Sequence, residues 1–144
     1  MVIIFDLDGT LADIEHRRHL VTDGNVDWDN FYKLCIDDSP NMPIVELYKT
    51  LQKSGKYTMT IFSGRGEIAK KETKKWLKDN FIKYDILKMR PKGDYTPDEI
   101  LKLGWLKELQ QKEMIMCVFD DRKKVVDMWR KQGLICCQVA KGDF

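Results

Sequence analysis

The stretch Val2-Ile3-Ile4-Phe5-Asp6-Leu7-Asp8-Gly9-Thr10 decides the fold. A run of β-branched and aromatic residues ended by Asp6 reads as a short buried strand. In an extended segment, residues two apart point the same way, so Asp6 and Asp8 can face one pocket at the strand's end. Gly9 lets the chain turn sharply and approach a ligand closely. Thr10 adds a hydroxyl, and Leu11-Ala12 resumes packing. One carboxylate of such a pair can attack phosphorus while the other moves a proton. The plain alternative is two solvated aspartates in a loop, since loops favour Asp and Gly. The strand before and the Gly-Thr after argue against it.

Outward from this segment, strands are expected at 57–62, 85–89, 114–119 and 134–139. Helical spacing fills the gaps at 43–53, 67–80 and 123–132, the last stopped by Gly133. Thr96-Pro97-Asp98-Glu99 reads as a capping box opening a helix through Leu109. This alternation predicts an α/β fold: a three-layer, Rossmann-like parallel sheet with helices on both faces. Residues 11–40 interrupt the alternation. Trp28, Phe31, Tyr32 and Cys35 fall at helical spacing there. The expectation is one domain over 1–144 with a small helical cap at about 11–40, above the carboxyl edge where such sheets bind ligands. Trp28 and Phe31 read as core of that cap rather than as base-stacking platforms.

Asp120-Asp121-Arg122 follows the fourth strand. Adjacent carboxylates repel one another, and a hard cation such as Mg²⁺ resolves the conflict. A helix N-cap explains one of the two, not both. Ser63-Gly64-Arg65 follows the second strand and, with a helix start, would cradle phosphate; a common turn is the alternative. Asp98 and Lys102 lie four apart on one helix face, which an ordinary surface pair would also explain. Five negative groups, counting a phosphate, need a buried cation. Lys102 is the first candidate, with Arg65 and Arg17 next.

The 144 residues carry 25 Lys plus Arg against 23 Asp plus Glu, a net charge of +2, which favours no polyanion by itself. Two histidines, His16 and His19, argue against a histidine-based phosphatase. The cysteines at 35, 117, 136 and 137 have no zinc or C-x-x-C spacing, so a reduced, cytoplasmic setting is expected. No apolar run is long enough to span a bilayer. No G-x-x-x-x-G-K-[ST] motif occurs, which sets a kinase aside.

DLDGT at 6–10, Ser63, Lys102 and the 120–121 pair resemble the four motifs of the haloacid dehalogenase-like phosphohydrolases. With Arg17, SGR at 63–65, Asp98, DDR followed by VVDMWRKQG, and the ending QVAKGDF, the chain resembles the phosphatase domain of phage-type polynucleotide kinase–phosphatases. The resemblance implies roles. Asp6 would be the nucleophile and Asp8 the general acid and then base. Asp6, the Asp8 carbonyl and Asp121 would hold Mg²⁺, with Asp120 nearby or acting through water. Ser63, Arg65 and Lys102 would bind the phosphoryl group, Thr10 and Gly64 would line its site, and Arg17 and Asp98 would support it. The expected reaction is removal of a 3′-phosphate from nucleic-acid ends. A 5′(3′)-nucleotidase acting on free nucleotides is the alternative, and a non-catalytic nucleic-acid-binding module comes last. The substrate is thus a phosphorylated nucleic-acid end or a nucleotide. Oligomeric state is not legible.

Overall fold

The computed structural model describes residues 1–142; the final two residues of the QVAKGDF ending lie outside the described residues. Five parallel strands form one sheet: β1 (Val2–Phe5), β4 (Thr58–Gly66), β5 (Ile86–Arg90), β6 (Ile115–Arg122) and β7 (Cys136–Gly142). Their order is β5-β4-β1-β6-β7. The chain therefore runs from β1 outward to β4 and β5, then returns past β1 to β6 and β7. Right-handed crossovers in opposite directions put their helices on opposite faces.

Side-chain alternation along β1 records this. Ile3 and Phe5 pack with Val45 and Tyr48 of α3 (Met42–Ser54) and with Trp76 and Leu77 of α4 (Lys70–Asp79). Val2 and Ile4 pack with Leu101, Trp105 and Leu106 of α5 (Asp98–Gln110) and Val125, Val126 and Trp129 of α6 (Lys123–Lys131). All four β1 side chains are fully buried, each worth roughly 1.5–3 kcal/mol of apolar transfer. The result is the expected three-layer α/β sandwich. The order reverses at β1, so the sheet's carboxyl edge opens a crevice there.

The interruption between β1 and α3 is richer than one helix. Its stem is an antiparallel pair, β2 (Ala12–Asp13) on β3 (Ser39–Pro40). Above it stand α1 (Glu15–Thr22), α2 (Trp28–Lys33) and a 3₁₀ turn at Leu34–Asp37. Phe31 and Cys35 are buried, whereas Trp28 is 49% exposed. The expectation of a buried Trp28 is thus corrected: it occupies the first turn of a six-residue helix and has too few elements around it.

Two further expectations change. β4 runs on through Ser63-Gly64-Arg65-Gly66 with a register shift against β5, and a 3₁₀ turn follows it. The triplet therefore sits on strand, not at a helix N-terminus. The Thr96 capping box does not form: Pro97 is the N-cap without a side-chain bond, and Arg90 takes the Thr96 carbonyl. Among the described residues, no helix is long and apolar enough to cross a membrane.

Candidate active site

Strand ends and helix faces converge on two carboxylate clusters. The first surrounds Asp6, whose backbone N–H bonds to the Phe119 carbonyl as β1 leaves β6. Lys102, one turn into α5 and fully buried, donates to Asp6 Oδ1 at 2.7 Å and Asp120 Oδ2 at 3.0 Å. It lies 3.5 Å from Asp98 Oδ2. Burial opposes its charge, but Asp120, Asp6 and Asp98 outweigh that and hold the ammonium well above the usual lysine range. Burial pushes the Asp6 carboxyl well up, against the pull of Lys102 and with the help of Asp120 and Asp121.

Asp120 and Asp121 differ in their freedom. Asp120 Oδ1 accepts the backbone N–H groups of Asp121 and Arg122 (2.9 and 3.3 Å). Its Oδ2 accepts Lys102 and the Trp129 indole (3.2 Å). Both Asp120 oxygens therefore already accept hydrogen bonds. Among the described residues, the Asp121 carboxylate accepts the Thr10 hydroxyl at 3.3 Å, a group that also reaches Asp6 Oδ2 at 3.5 Å. Burial and the neighbouring Asp120 push the Asp121 carboxyl up to about 6. One carboxylate oxygen from each of Asp6, Asp120 and Asp121 lies within 4.8 Å of the other two, a set that could hold a cation. Gly9, at φ +85°, is needed here: a Cβ would collide with the Asp121 carboxylate.

The second cluster surrounds Asp8, which points the same way from the motif but meets the insertion. Arg17 of α1, fully buried, donates through Nη2 to Asp8 Oδ1 and Asp38 Oδ2, and through Nε to Asp38 Oδ1, each at 2.7 Å. Its Nη1 holds the Phe31 carbonyl at 2.9 Å, and the guanidinium sits 4.3 Å from the Phe31 ring centre. Arg65, also buried, bonds Asp8 through Nη2, which lies 3.3 Å from Asp38 Oδ2, while Nη1 donates to Thr73 at 2.9 Å. Burial alone would raise the Asp8 carboxyl; Arg65 and Arg17 overcome it and bring it down to about 2.

Asp38 was not among the residues singled out from sequence. It is 5% exposed, takes both arginines and His16 (2.7 Å), and its carbonyl accepts the Trp76 indole at 2.7 Å. Its signal was indirect: a buried Arg17 demands a carboxylate, and Asp37-Asp38 was available in the same insertion.

The remaining candidates lie on β4 and α5. The Ser63 Oγ is buried and accepts the Arg65 N–H at 3.2 Å. Gly64 abuts the Asp98 carboxylate so closely that a Cβ would overlap it. Arg90 clamps this corner by donating to the Gly64 and Thr96 carbonyls (2.9 and 2.5 Å). Its guanidinium is thus engaged with this loop while also lining the cleft. Arg18, at the mouth, pairs with Glu15 at 2.8 Å. A cleft of about 1130 Å³ opens onto Asp6, Asp8, Arg65, Asp98 and Asp121.

The family model of the polynucleotide kinase PNKP phosphatase domain matches residues 1–144. The chain belongs to this family. Membership in the PNKP phosphatase family makes it a phosphatase-type hydrolase of the haloacid dehalogenase class. It is 32% identical over 130 residues to a protein of Autographa californica nuclear polyhedrosis virus named as a bifunctional polynucleotide kinase/RNA ligase, covering 89% of this chain and 17% of that one. A solved structure of a Pnkp1/Rnl/Hen1 RNA repair complex superposes with a TM-score of 0.84 at 34% identity, over 99% of this chain and 43% of that one. The chain thus spans less than half the length of these relatives. A haloacid dehalogenase-like hydrolase of Streptococcus pneumoniae shares the fold, with a TM-score of 0.62 at 15% identity over 95% of this chain and 83% of that one.

Proposed function

We propose that this PNKP-type phosphatase domain removes the 3′-phosphate from nucleic-acid ends, with Mg²⁺ and through an aspartyl-phosphate on Asp6. The observation that carries the proposal is the opposite setting of Asp6 and Asp8, two residues apart on one strand end. Asp6 faces Lys102 and a spare carboxylate; Asp8 faces two arginines.

The acidic side suits a small hard cation. Asp121 and Asp6 offer the ligand oxygens, because those of Asp120 are taken; the Asp8 carbonyl completes the protein donors in this reading. A carboxyl at about 6 beside two more carboxylates is the condition a cation relieves. When bound, Mg²⁺ would offset charge on the phosphoryl oxygens.

In the first step an Asp6 oxygen attacks phosphorus and the bond to the 3′-oxygen breaks; the alcohol leaves with a proton from Asp8. In the second, water attacks the acyl phosphate, Asp8 takes its proton, the Asp6 oxygen is released, and phosphate departs. Lys102 keeps Asp6 oriented and offsets its charge. Among the described residues, the buried Arg65 Nε has no hydrogen-bond partner, an N–H that costs free energy until an acceptor such as a phosphoryl oxygen meets it. Asp8 rests ionised, which suits the second step. The first requires protonation, which the two arginines oppose until phosphate competes for them. The 11–40 insertion is read as a small cap that delivers Arg17 and Asp38. Ser63, Gly64 and Thr10 shape the phosphate end, and Asp98 steadies Lys102.

The test is a matched panel of 3′-phosphate DNA and RNA, 5′-phosphate DNA, and nucleoside 3′- and 5′-monophosphates, with and without Mg²⁺. The 3′-phosphorylated polymers are expected to give the highest kcat/KM. Preference for free nucleotides would favour the nucleotidase reading.

A further inference from the structure

Beyond the phosphate end, the cleft carries an apolar rim that the chemistry leaves unused. Four large apolar side chains exposed to solvent line it: Val26 (52% exposed), Trp28 (49%), Ile68 (40%) and Tyr95 (89%). Leaving such groups in water forgoes transfer free energy, and their gathering around one opening marks a binding surface.

Trp28 is the best organised of the four. Its ring stacks on Tyr32 at 5.7 Å and 28° and meets the edge of Phe31 at 5.7 Å and 89°. Phe31 is buried under Arg17. Tyr32 packs against Gly66, where a Cβ would meet its ring at 3.0 Å. The indole thus rests on a rigid aromatic tier that reaches down to the arginine cluster, and half of it stays open to the cleft. Tyr95 comes from the loop between β5 and α5, whose base Arg90 clamps. The cationic Lys92, Arg122 and Lys124 line the same cleft. Flat aromatic faces interleaved with cations, beside a phosphate site, suit a nucleobase with its backbone phosphates. An aliphatic phosphate ester would leave the aromatic faces in water.

We propose that Trp28 and Tyr95 form a stacking site for the terminal nucleobase of the substrate, so that the base, not only the phosphate, sets the efficiency of hydrolysis. This rests on the nucleic-acid reading above. No base-edge donors or acceptors are needed, so the site accepts all bases and favours single-stranded ends, whose bases are free to stack.

The experiment measures kcat/KM on two single-stranded oligonucleotides with 3′-phosphates, one ending in an ordinary nucleotide and one in an abasic sugar. The enzymes are the wild type, Trp28→Ala, Trp28→Phe and Tyr95→Ala. The wild type should favour the base-bearing end by at least about fivefold. Trp28→Ala should remove most of that preference, mainly through KM, Tyr95→Ala part of it, and Trp28→Phe little. Equal use of both ends by the wild type overturns the proposal. So does a loss in the variants that is the same on both ends, which would mark the aromatics as structural. Tyr95 is nearly fully exposed, so its variant decides the matter even if Trp28→Ala folds poorly. Should the wild type prefer free nucleotides, the polynucleotide reading falls. The same variants compared on a nucleoside monophosphate and ribose 5-phosphate then decide the stacking site by the same criterion.

Discussion

Asp6 and Asp8 share a strand end and a residue type, yet they sit in opposite surroundings. Around Asp6 one lysine is shared by three carboxylates, and its carboxyl is pushed up. Around Asp8 two arginines are shared with one further carboxylate, and its carboxyl falls to about 2. The motif is local, but what separates the two residues is not. Lys102 comes from a helix almost a hundred residues on, Arg17 and Asp38 from the insertion, and Arg65 from the neighbouring strand. A D-x-D pair acquires two electrostatic settings because α5 and the end of β6 surround one member, whereas the insertion and β4 surround the other.

Substitutions can break this comparison at different strengths. The largest effect belongs to Asp6→Asn, which keeps an oxygen for Lys102 but removes the proposed attacking group. Phosphate release should fall at least about a thousandfold while far-UV circular dichroism and the unfolding midpoint stay near wild type. Substantial residual turnover would make Asp6 something other than the nucleophile.

Asp38→Ala comes next, and it touches no proposed reacting atom. It strips one of two carboxylate partners from two buried arginines, and breaking a buried pair costs roughly 3–5 kcal/mol. Urea unfolding should show the loss, and Asp38→Asn should recover part of it. If stability and turnover both survive the alanine variant, the insertion does not organise Asp8.

Asp38 also measures how far the sequence could be read. The apolar run of β1 and the D-x-D after it were legible because strand periodicity and strand-end carboxylates are local properties. The 120–121 pair was legible for the same reason. Only the family resemblance set Asp121 before Asp120; the residues alone did not show that the Trp129 indole and Lys102 meet Asp120 from two helices. Asp38 reads as a loop acid before Ser39-Pro40, and only its tertiary meeting with Arg17 and Arg65 gives it weight. Trp28 was misread because helical spacing says which residues share a face, not whether anything covers it.

The two members of the 120–121 pair give a finer test. Asp121→Asn should raise the Mg²⁺ concentration needed for half-maximal activity by at least about tenfold, with calorimetry showing weaker metal binding. Asp120→Asn should leave metal binding closer to wild type and lower kcat and stability by loosening Lys102. The reverse pattern would make Asp120 the metal ligand. At the small end, the exposed pair Lys123–Asp127 (2.6 Å) spans one turn of α6. Breaking it with Lys123→Ala should change stability by no more than about 0.5 kcal/mol, in contrast with the buried pairs.

The division of labour proposed for Asp6 and Asp8 is tested most directly by rapid quench of Asp8→Asn with an aryl phosphate carrying a radiolabelled phosphoryl group, whose leaving group needs little proton donation. The account predicts that label accumulates on the protein in a hydroxylamine-sensitive form, because removing the base slows water's attack more than it slows formation of the intermediate. The label should be absent when Asp6→Asn is added. Label that persists without the Asp6 carboxylate would contradict the account, as would equal slowing of both steps with no trapped phosphoprotein.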